Sequence, residues 1–235
     1  MRRLWLSLIL PISCLAQQPR LNFTGEIAGT LTGEDGTKIT GAYVSLRRLP
    51  PHPPRLRQTN WTAVTGAGGS FRFESLNDGK YQLCAEFPKN TWLNPCEWGP
   101  RPEIVTLSAA QGFVAVTLVM RKAAVVAIRL EDPGQLLAQH EGRVAGAQVL
   151  IGVANEAGWF RPAAVTSRDA GGKNYEVLIP FNRTVNITVN STYFQLADGA
   201  GMALPRTRAA TIPVSVASGQ QPSVLTLKVS RGDAP

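Results

Sequence analysis

The chain contains little of what catalytic and metal sites usually need. Its 235 residues include two histidines and three cysteines. A zinc peptidase motif would place glutamate three positions after a histidine, but His52 and His140 are each followed there by arginine. A tetrahedral metal site needs more ligands than one such histidine offers. The sequence also has no phosphate-binding Gly-x-x-x-x-Gly-Lys-Ser/Thr motif. We therefore predict that the protein is not an enzyme and that it binds no metal or other cofactor.

Long apolar runs are also scarce. Residues 4–15 form the longest one, which follows Arg2 and Arg3 and ends just before Ala16. A membrane-spanning helix needs about 20 apolar residues, so this run is too short to be one. A charged start, a short apolar stretch and small residues at the cleavage position are typical of a signal peptide. We expect residues 1–16 to be a signal peptide, with a lipid anchor at Cys14 as the alternative, and no membrane span elsewhere.

Charge does not favour nucleic acid as a partner. The chain has 24 basic and 16 acidic residues, which gives a formal net charge of +8. Nucleic-acid binding requires these basic residues to be clustered on one face, preferably with stacking aromatic residues. Here they are spread along the sequence. We predict no nucleic-acid partner.

Cys84 and Cys96 are the two cysteines that remain after the leader. An even pair in an exported chain usually forms a disulfide, because exported proteins fold in an oxidising compartment. Two free buried thiols are the alternative. With the leader, this pair predicts a secreted, periplasmic or cell-surface protein.

The remaining sequence consists of short alternating runs separated by glycine, asparagine, aspartate and proline. Apolar residues recur at every second position, as expected for strands with one buried face. Acidic pairs such as Glu131-Asp132 fall between the runs, where we expect solvated turns. Residues 134–142 offer one helical turn at most. Many short strands with turns between them predict an all-β fold of antiparallel sandwiches. The clearest runs are residues 25–32, 42–48, 70–74, 80–86 and 113–119.

Three landmarks in the first half recur about 104 positions later in the same order. Gly41-Ala42 matches Gly146-Ala147, and the glycine pair at 68–69 matches the pair at 171–172. The strand with Tyr81, Leu83 and Ala85 facing inward matches the one with Val185, Ile187 and Val189. A repeat of this length predicts two consecutive sandwich domains, residues 23–121 and 124–231, the second a possible divergent copy of the first.

The first of these domains resembles a known family. Three of its segments are similar to the carboxypeptidase regulatory-like family. They are Gly25-Glu-Ile-Ala-Gly-Thr-Leu, Gly36-Thr-Lys-Ile-Thr-Gly-Ala-Tyr-Val and Thr65-Gly-Ala-Gly-Gly-Ser-Phe-Arg-Phe. The resemblance implies a prealbumin-like β-sandwich of about seven strands over residues 23–120, without a catalytic partner. In the second half it is weaker, so an immunoglobulin-like sandwich is the alternative there. Residues 49–58 depart from the pattern and predict a projecting loop.

Tryptophans near the cysteine pair are the candidate ligand-binding residues. Trp92 and Trp98 lie beside Asn94 and Glu97. Exposed tryptophan rings stack on sugars, while amides and carboxylates bond to the hydroxyl groups. The alternative is that both rings cover the end of the sandwich. Trp159 and Phe160 could likewise be exposed for binding or packed in the core, and we expect them to pack in the core.

These observations predict an exported, non-catalytic β-sandwich protein. Its function is expected to be that of a structural or protein-interaction module of the cell envelope or extracellular space. A carbohydrate-binding module is the alternative. The partner is therefore expected to be an envelope or extracellular protein, or a polysaccharide.

Overall fold

The fold is all-β in a computed structural model that describes residues 24–50, 59–88, 92–99, 101–155, 158–206 and 208–231. The predicted signal peptide, Cys14 and residues 51–58 of the predicted loop lie outside the described residues. The strands of the first half are β1 (Gly25–Gly33), β2 (Tyr43–Arg48), β3 (Asn60–Val64), β4 (Ser70–Leu76), β5 (Gly79–Glu86), β6 (Trp92–Leu93) and β7 (Glu103–Leu107). They are followed by β8 (Phe113–Glu131), β9 (Leu150–Ala154), β10 (Phe160–Pro162), β11 (Ala164–Asp169), β12 (Gly172–Pro180), β13 (Thr184–Asn190), β14 (Phe194–Asp198), β15 (Ala210–Ser215) and β16 (Leu225–Arg231).

In the described ranges, two short α-helices interrupt the strands, α1 (Pro95–Trp98) and α2 (Leu136–His140), and Ala67–Gly69 form a short 3-10 helix. The helix α2 lies within residues 134–142, so the prediction of a single turn there is confirmed. Within the described ranges, no helix is both long and apolar enough to cross a membrane.

The strand β8 belongs to both halves of the molecule. Its 19 residues extend about 60 Å at roughly 3.3 Å per residue. Residues 113–120 pair with β1 in parallel, and residues 123–131 pair with β12 in antiparallel. Residues 128–131 also pair in parallel with β16. One continuous strand therefore passes from the first sandwich into the second.

Each half encloses its own buried apolar cluster between two sheets. In the first half, β4-β1-β8 faces β3-β2-β5-β7, and inward side chains such as Ile27, Val44 and Leu83 form the cluster. In the second half, β11-β12-β8-β16-β14 faces β10-β9-β13-β15 around residues such as Ile128 and Ile187. The predicted all-β fold of successive sandwiches is confirmed. Its division into two domains at residues 121–124 stays a prediction.

The strands of the two halves pair in the same order. The strand β2 lies between β3 and β5, and β9 lies between β10 and β13. Likewise, β5 pairs with β7 and β13 pairs with β15. The landmarks of the sequence repeat therefore lie on, or shortly before, strands in equivalent positions.

The glycine directly before β4 and the glycine that begins β12 meet the same steric requirement. Gly69 has a φ of 72°, and a Cβ there would lie 2.3 Å from the Leu31 carbonyl oxygen. Gly172 has a φ of 141°, and a Cβ would lie 1.9 Å from the Leu130 carbonyl oxygen. Only glycine tolerates both the positive φ and so close a backbone approach. This explains why the second glycine of the pair recurs in both halves.

Candidate functional site

The predicted disulfide joins β5 to α1. Cys84 lies on β5 and Cys96 in α1, with the two Cα atoms 5.4 Å apart. The helix begins where the Asn94 side chain accepts a hydrogen bond from the Cys96 amide at 3.0 Å, and Pro95 occupies the first helical position. Both are common ways to start a helix. The disulfide prediction is confirmed.

Trp92, which precedes this helix, and Trp98, which ends it, pack into different halves. Trp98 is only 3% exposed and belongs to the cluster of the second half. Trp92 is partly buried against the cluster of the first half, and the Lys122 ammonium lies 5.7 Å from its ring centre. Sugar stacking requires an exposed ring face, which Trp98 does not offer. The alternative of a packing role describes this arrangement better.

Glu97 connects α1 to the second half. Its two carboxylate oxygens each accept a hydrogen bond from Arg161 Nη1 at 2.7 Å. Arg161 also donates to Glu86 Oε1 at 2.9 Å. Burial alone would lower the pKa of Arg161, but the hydrogen bonds to Glu97 and Glu86 raise it above its ordinary value. The four predicted ligand-binding residues thus lie at the junction of the halves, and Asn94 and Glu97 have structural partners there.

A second candidate site is the outward face of the sheet β10-β9-β13-β15. Inward positions such as Ile151, Ile187 and Ile212 pack against the cluster, so the intervening positions face outward. Among the described residues of these strands, no outward position is charged. They are Phe160, Pro162, Leu150, Gly152, Ala154, Thr184, Asn186, Thr188, Asn190, Thr211, Pro213 and Ser215. We call this surface the uncharged face.

Phe160 lies on the uncharged face, and Trp159 directly precedes it in the hairpin at the end of that face. Trp159 is 72% exposed and Phe160 is 38% exposed, so the expectation that they fill the core was wrong. The hairpin holds Trp159 in place, since its amide donates to Asn155 Oδ1 and its carbonyl accepts from the Asn155 amide, both at 2.9 Å. A Cβ at Gly152 would lie 2.4 Å from the Phe160 ring. Glycine at that position therefore leaves room for the ring on the sheet.

The equivalent sheet of the first half, β3-β2-β5-β7, has a different outward face. Cys84 lies on this face and connects it to α1. The same side of the sheet carries the charged residues Arg47, Lys80 and Glu86. Part of this surface is thus used for the internal connection to the second half.

Outside these two sites, the acidic and histidine residues that could serve in catalysis or metal binding make structural contacts instead. Asp132 was expected to be a solvated turn acid, but it is buried, and its carboxylate accepts hydrogen bonds from the Leu136 and Leu137 amides at 2.8 and 2.7 Å. This expectation was wrong because the turn folds back into α2. His140 packs on Tyr193, and His52 lies outside the described residues. In the part of the chain that the structure describes, no three His, Cys, Asp or Glu side chains group in a way that suits a metal ion.

No protein-family model and no curated protein sequence matches this chain. Among solved structures, a streptococcal ancillary pilin is 13% identical, with a TM-score of 0.44; the match covers 88% of this chain and 63% of that protein. The minor pilin of Streptococcus agalactiae is also 13% identical, with a TM-score of 0.39 and coverage of 90% and 98%. A protein of the DUF3823 family from Bacteroides uniformis is 13% identical, with a TM-score of 0.32 and coverage of 82% and 99%. Likeness at this level assigns neither a family nor a function.

Sequence reasoning did not find the uncharged face. The signal is present, because Asn186, Thr188 and Asn190 alternate with buried residues along β13. It becomes visible only when the neighbouring strands are known. Pairing brings Gly152 beside Thr188, and Thr211 beside Thr188 on the other side.

Proposed function

We propose that this protein is a non-catalytic module that docks a protein partner in the cell envelope or extracellular space. The observation that carries the proposal is the uncharged face with Trp159 at its end. The partner docks on this face through an apolar, uncharged surface of its own.

The physical reason lies in what binding removes from water. Burying a charged side chain at an interface costs free energy unless it is paired, whereas the threonine, asparagine and apolar groups of the uncharged face are cheaper to desolvate. Charged residues are depleted at the centre of protein interfaces, and tryptophan is enriched among the residues that dominate binding. The backbone of Trp159 is held by two hydrogen bonds to Asn155 before binding, so little backbone entropy is lost there on docking.

An exported location is part of the same proposal. The Cys84–Cys96 disulfide supports it, because disulfides persist in oxidising compartments. Cleavage after Ala16 gives a mature chain that begins at Gln17. Mass measurement of the protein from its native source tests both points. A mass that includes residues 1–16, or two free thiols at Cys84 and Cys96, contradicts them.

We also infer that the first half is related to the carboxypeptidase regulatory-like family. The sandwich around β1, β2, β4 and β5 supports this, as do the positive φ values of Gly36 (79°) and Gly41 (81°) within the resembling segments. An experimental structure in which these strands pair in another order contradicts the relationship.

Docking is tested by photo-crosslinking in the native envelope or culture fluid. A photoreactive phenylalanine replaces Trp159 in one variant and Tyr43 in a matched one. Tyr43 is a suitable control because it is 50% exposed on the outward face of the first-half sheet. We expect a discrete protein adduct from position 159 and none of that mass from position 43. The same adducts from both positions, or none from position 159, contradict the proposed function.

A further inference from the structure

The first half of the molecule leaves open a strand edge that the second half covers with its own chain. In the second half, β14 lies antiparallel along β16, from the pair Phe194–Arg231 to the pair Asp198–Leu227. Residues 113–120 of β8 take the position of β16 in the first half, and they pair with β1 along one edge. Along the other edge, the described chain offers only β6, which pairs with Arg121 and Lys122. In the described ranges, no strand covers this edge, which we call the open edge.

The open edge lacks the sequence features that usually protect an edge strand, although α1 lies beside part of it, near Thr117 and Val119. Residues 113–120 read Phe-Val-Ala-Val-Thr-Leu-Val-Met, without charge or proline, and their register with β1 is regular. Phe113 is 50% exposed and Val119 is 48% exposed. Natural edge strands are usually interrupted by charges, prolines or bulges, since their free N–H and C=O groups otherwise pair with other chains.

Several other edge strands carry such protection, whereas β3, at the edge of its sheet, has neither a charge nor a proline. Pro162 lies in β10 and Pro213 in β15, at the two edges of their sheet. The register of β11 shifts between Val165 and Ser167, which marks a bulge or irregularity. The chain therefore guards these edges and leaves residues 113–120 regular and apolar. Such a contrast is expected where an edge is kept for pairing.

A cavity of about 270 Å³ lies beside the open edge. One wall is formed by Thr117, Leu118 and Val119 of β8. The rest of the lining consists of Leu93, Pro95, Trp98, Gly99, Arg101, Glu103 and Arg121. In the second half, β14 places the buried side chains of Phe194 and Leu196 inside the sandwich along the matching strand. The apolar part of this lining, formed by residues such as Leu93, Trp98 and Leu118, is thus a suitable place for an apolar side chain of an added strand.

We propose that the open edge binds an extended segment of a protein partner as an antiparallel strand. The segment resembles β14 in its chemistry, with apolar side chains at alternate positions, one of which enters the cavity beside Trp98. Backbone hydrogen bonds along the edge supply affinity, and the cavity supplies specificity. This surface is separate from the uncharged face, so each can fail without the other.

The probe is a peptide with the sequence of residues 192–200 of this chain, Thr-Tyr-Phe-Gln-Leu-Ala-Asp-Gly-Ala. Amide NMR and hydrogen exchange of the full-length protein report its binding. We expect saturable shifts confined to residues 113–120 and their neighbours, with slower exchange at alternate amides of that segment. The absence of a saturable shift there overturns the proposal. So does protection, without peptide, of the alternate amides that point away from β1.

Two N-methylated peptides test whether the contact is a strand pairing. One carries methyl groups on the amides of Phe194, Leu196 and Asp198, and the other on those of Tyr193, Gln195 and Ala197. Alternate residues of a strand direct their amides to opposite edges. The methyl groups of one peptide therefore remove hydrogen bonds to the open edge, whereas those of the other peptide point away from it. Each lost bond is expected to weaken binding about two- to tenfold. Equal affinity of the two peptides overturns the proposal.

Substitution in the protein provides a matched comparison. Val119→Lys places a charge on the open edge, and Val165→Lys places one on the exposed position of β11. Because a charge on an edge strand opposes pairing, we expect Val119→Lys to weaken peptide binding and Val165→Lys to leave it unchanged. Binding that persists in Val119→Lys, or that is lost equally in both variants, contradicts the assignment of the site. The far-ultraviolet circular dichroism of both variants checks that they remain folded.

Discussion

The two halves of this protein pair their strands in the same order but use their surfaces differently. In the first half, the sheet β3-β2-β5-β7 is tied through Cys84 to α1, which in turn contacts the second half through Glu97 and Trp98. In the second half, the sheet β10-β9-β13-β15 has an uncharged face. The same strand order thus forms a sheet that is tied to the rest of the molecule in the first half and a sheet with an uncharged outward face in the second half.

The largest effects are expected in the two cores, where the halves are most alike. Leu83 and Ile187 occupy matching positions of the repeat, and both are fully buried. Leu83→Ala and Ile187→Ala should each destabilise the chain by about 2–5 kcal/mol, because each leaves a cavity. Urea unfolding followed by residue-resolved hydrogen exchange measures the loss in each half.

If the halves are separate domains, each variant should lower protection mainly in its own half. Thr188→Ala, next to Ile187 but on the outward face, serves as the control and should have little effect. Equal loss of protection across both halves in either core variant would show one cooperative unit, and the predicted domain division would be wrong.

Removing the disulfide should affect the first half and the junction but not the uncharged face. Replacing Cys84 and Cys96 with alanine opens a loop of about 13 residues, for which the expected loss is about 3 kcal/mol. Trp98 should become more accessible to quenchers, since α1 loses its covalent attachment to β5. Urea unfolding and acrylamide quenching measure these changes. A reductant should have no effect on the double variant, and unchanged stability of that variant would contradict the structural role of the bond.

Arg161 connects the differently used halves through Glu86 and Glu97. Its side chain is 36% exposed, so solvent weakens the ion pairs. Arg161→Gln is expected to cost about 1 kcal/mol in the free energy of unfolding. Arg168→Gln, whose side chain is 63% exposed and 3.7 Å from Glu141, is the matched control and should cost less. If Arg161→Gln costs no more than the control variant, the ion pairs of Arg161 do not stabilise the junction and this prediction is wrong.

The smallest effect concerns a turn attached to β8. A hydrogen bond from Lys122, followed by one from the Thr37 amide, holds the pKa of Asp35 well below its usual range. A carboxylate with a lowered native pKa stabilises the fold above its unfolded pKa, and this contribution disappears as pH falls through the native value. The stability difference between the native chain and Asp35→Asn should therefore shrink as the solution becomes more acidic than pH 4.

Carboxyl-carbon NMR measures this directly. Asp35 should remain ionised at about pH 4, where ordinary aspartates are half protonated. Asp169 provides a comparison in the second half, because a hydrogen bond from Arg129 on β8 also lowers its pKa. An Asp35 that titrates with an ordinary pKa would contradict the contact with Lys122.

Much of the fold was predictable because strand alternation is local. The runs at residues 25–32, 42–48 and 80–86 correspond to β1, β2 and β5, and the cysteine pair predicted the disulfide. The recurrence of the glycine pairs also reflects the structure, because a Cβ atom at Gly69 or Gly172 would clash with a carbonyl oxygen of the neighbouring strand.

The candidate sites were less predictable because they depend on contacts between distant residues. Nothing local distinguishes Trp98, which is buried by strands more than twenty positions away, from Trp159, which is exposed at a hairpin. Asp132 likewise reads as a turn acid until its bonds to the start of α2 are seen. The open edge depends on which strands pair with residues 113–120 in the described part of the chain, and alternation within one run cannot reveal that pairing.

The most direct test of the central claim is the affinity of the crosslinked partner for Trp159→Ala, measured against the native chain and Tyr43→Ala. The uncharged face with Trp159 is proposed as the docking surface. Loss of a residue that dominates an interface usually costs at least 2 kcal/mol, so Trp159→Ala should weaken binding about thirtyfold or more. Tyr43→Ala should bind like the native chain. Native affinity in Trp159→Ala, or an equal loss in Tyr43→Ala, would contradict docking through the uncharged face.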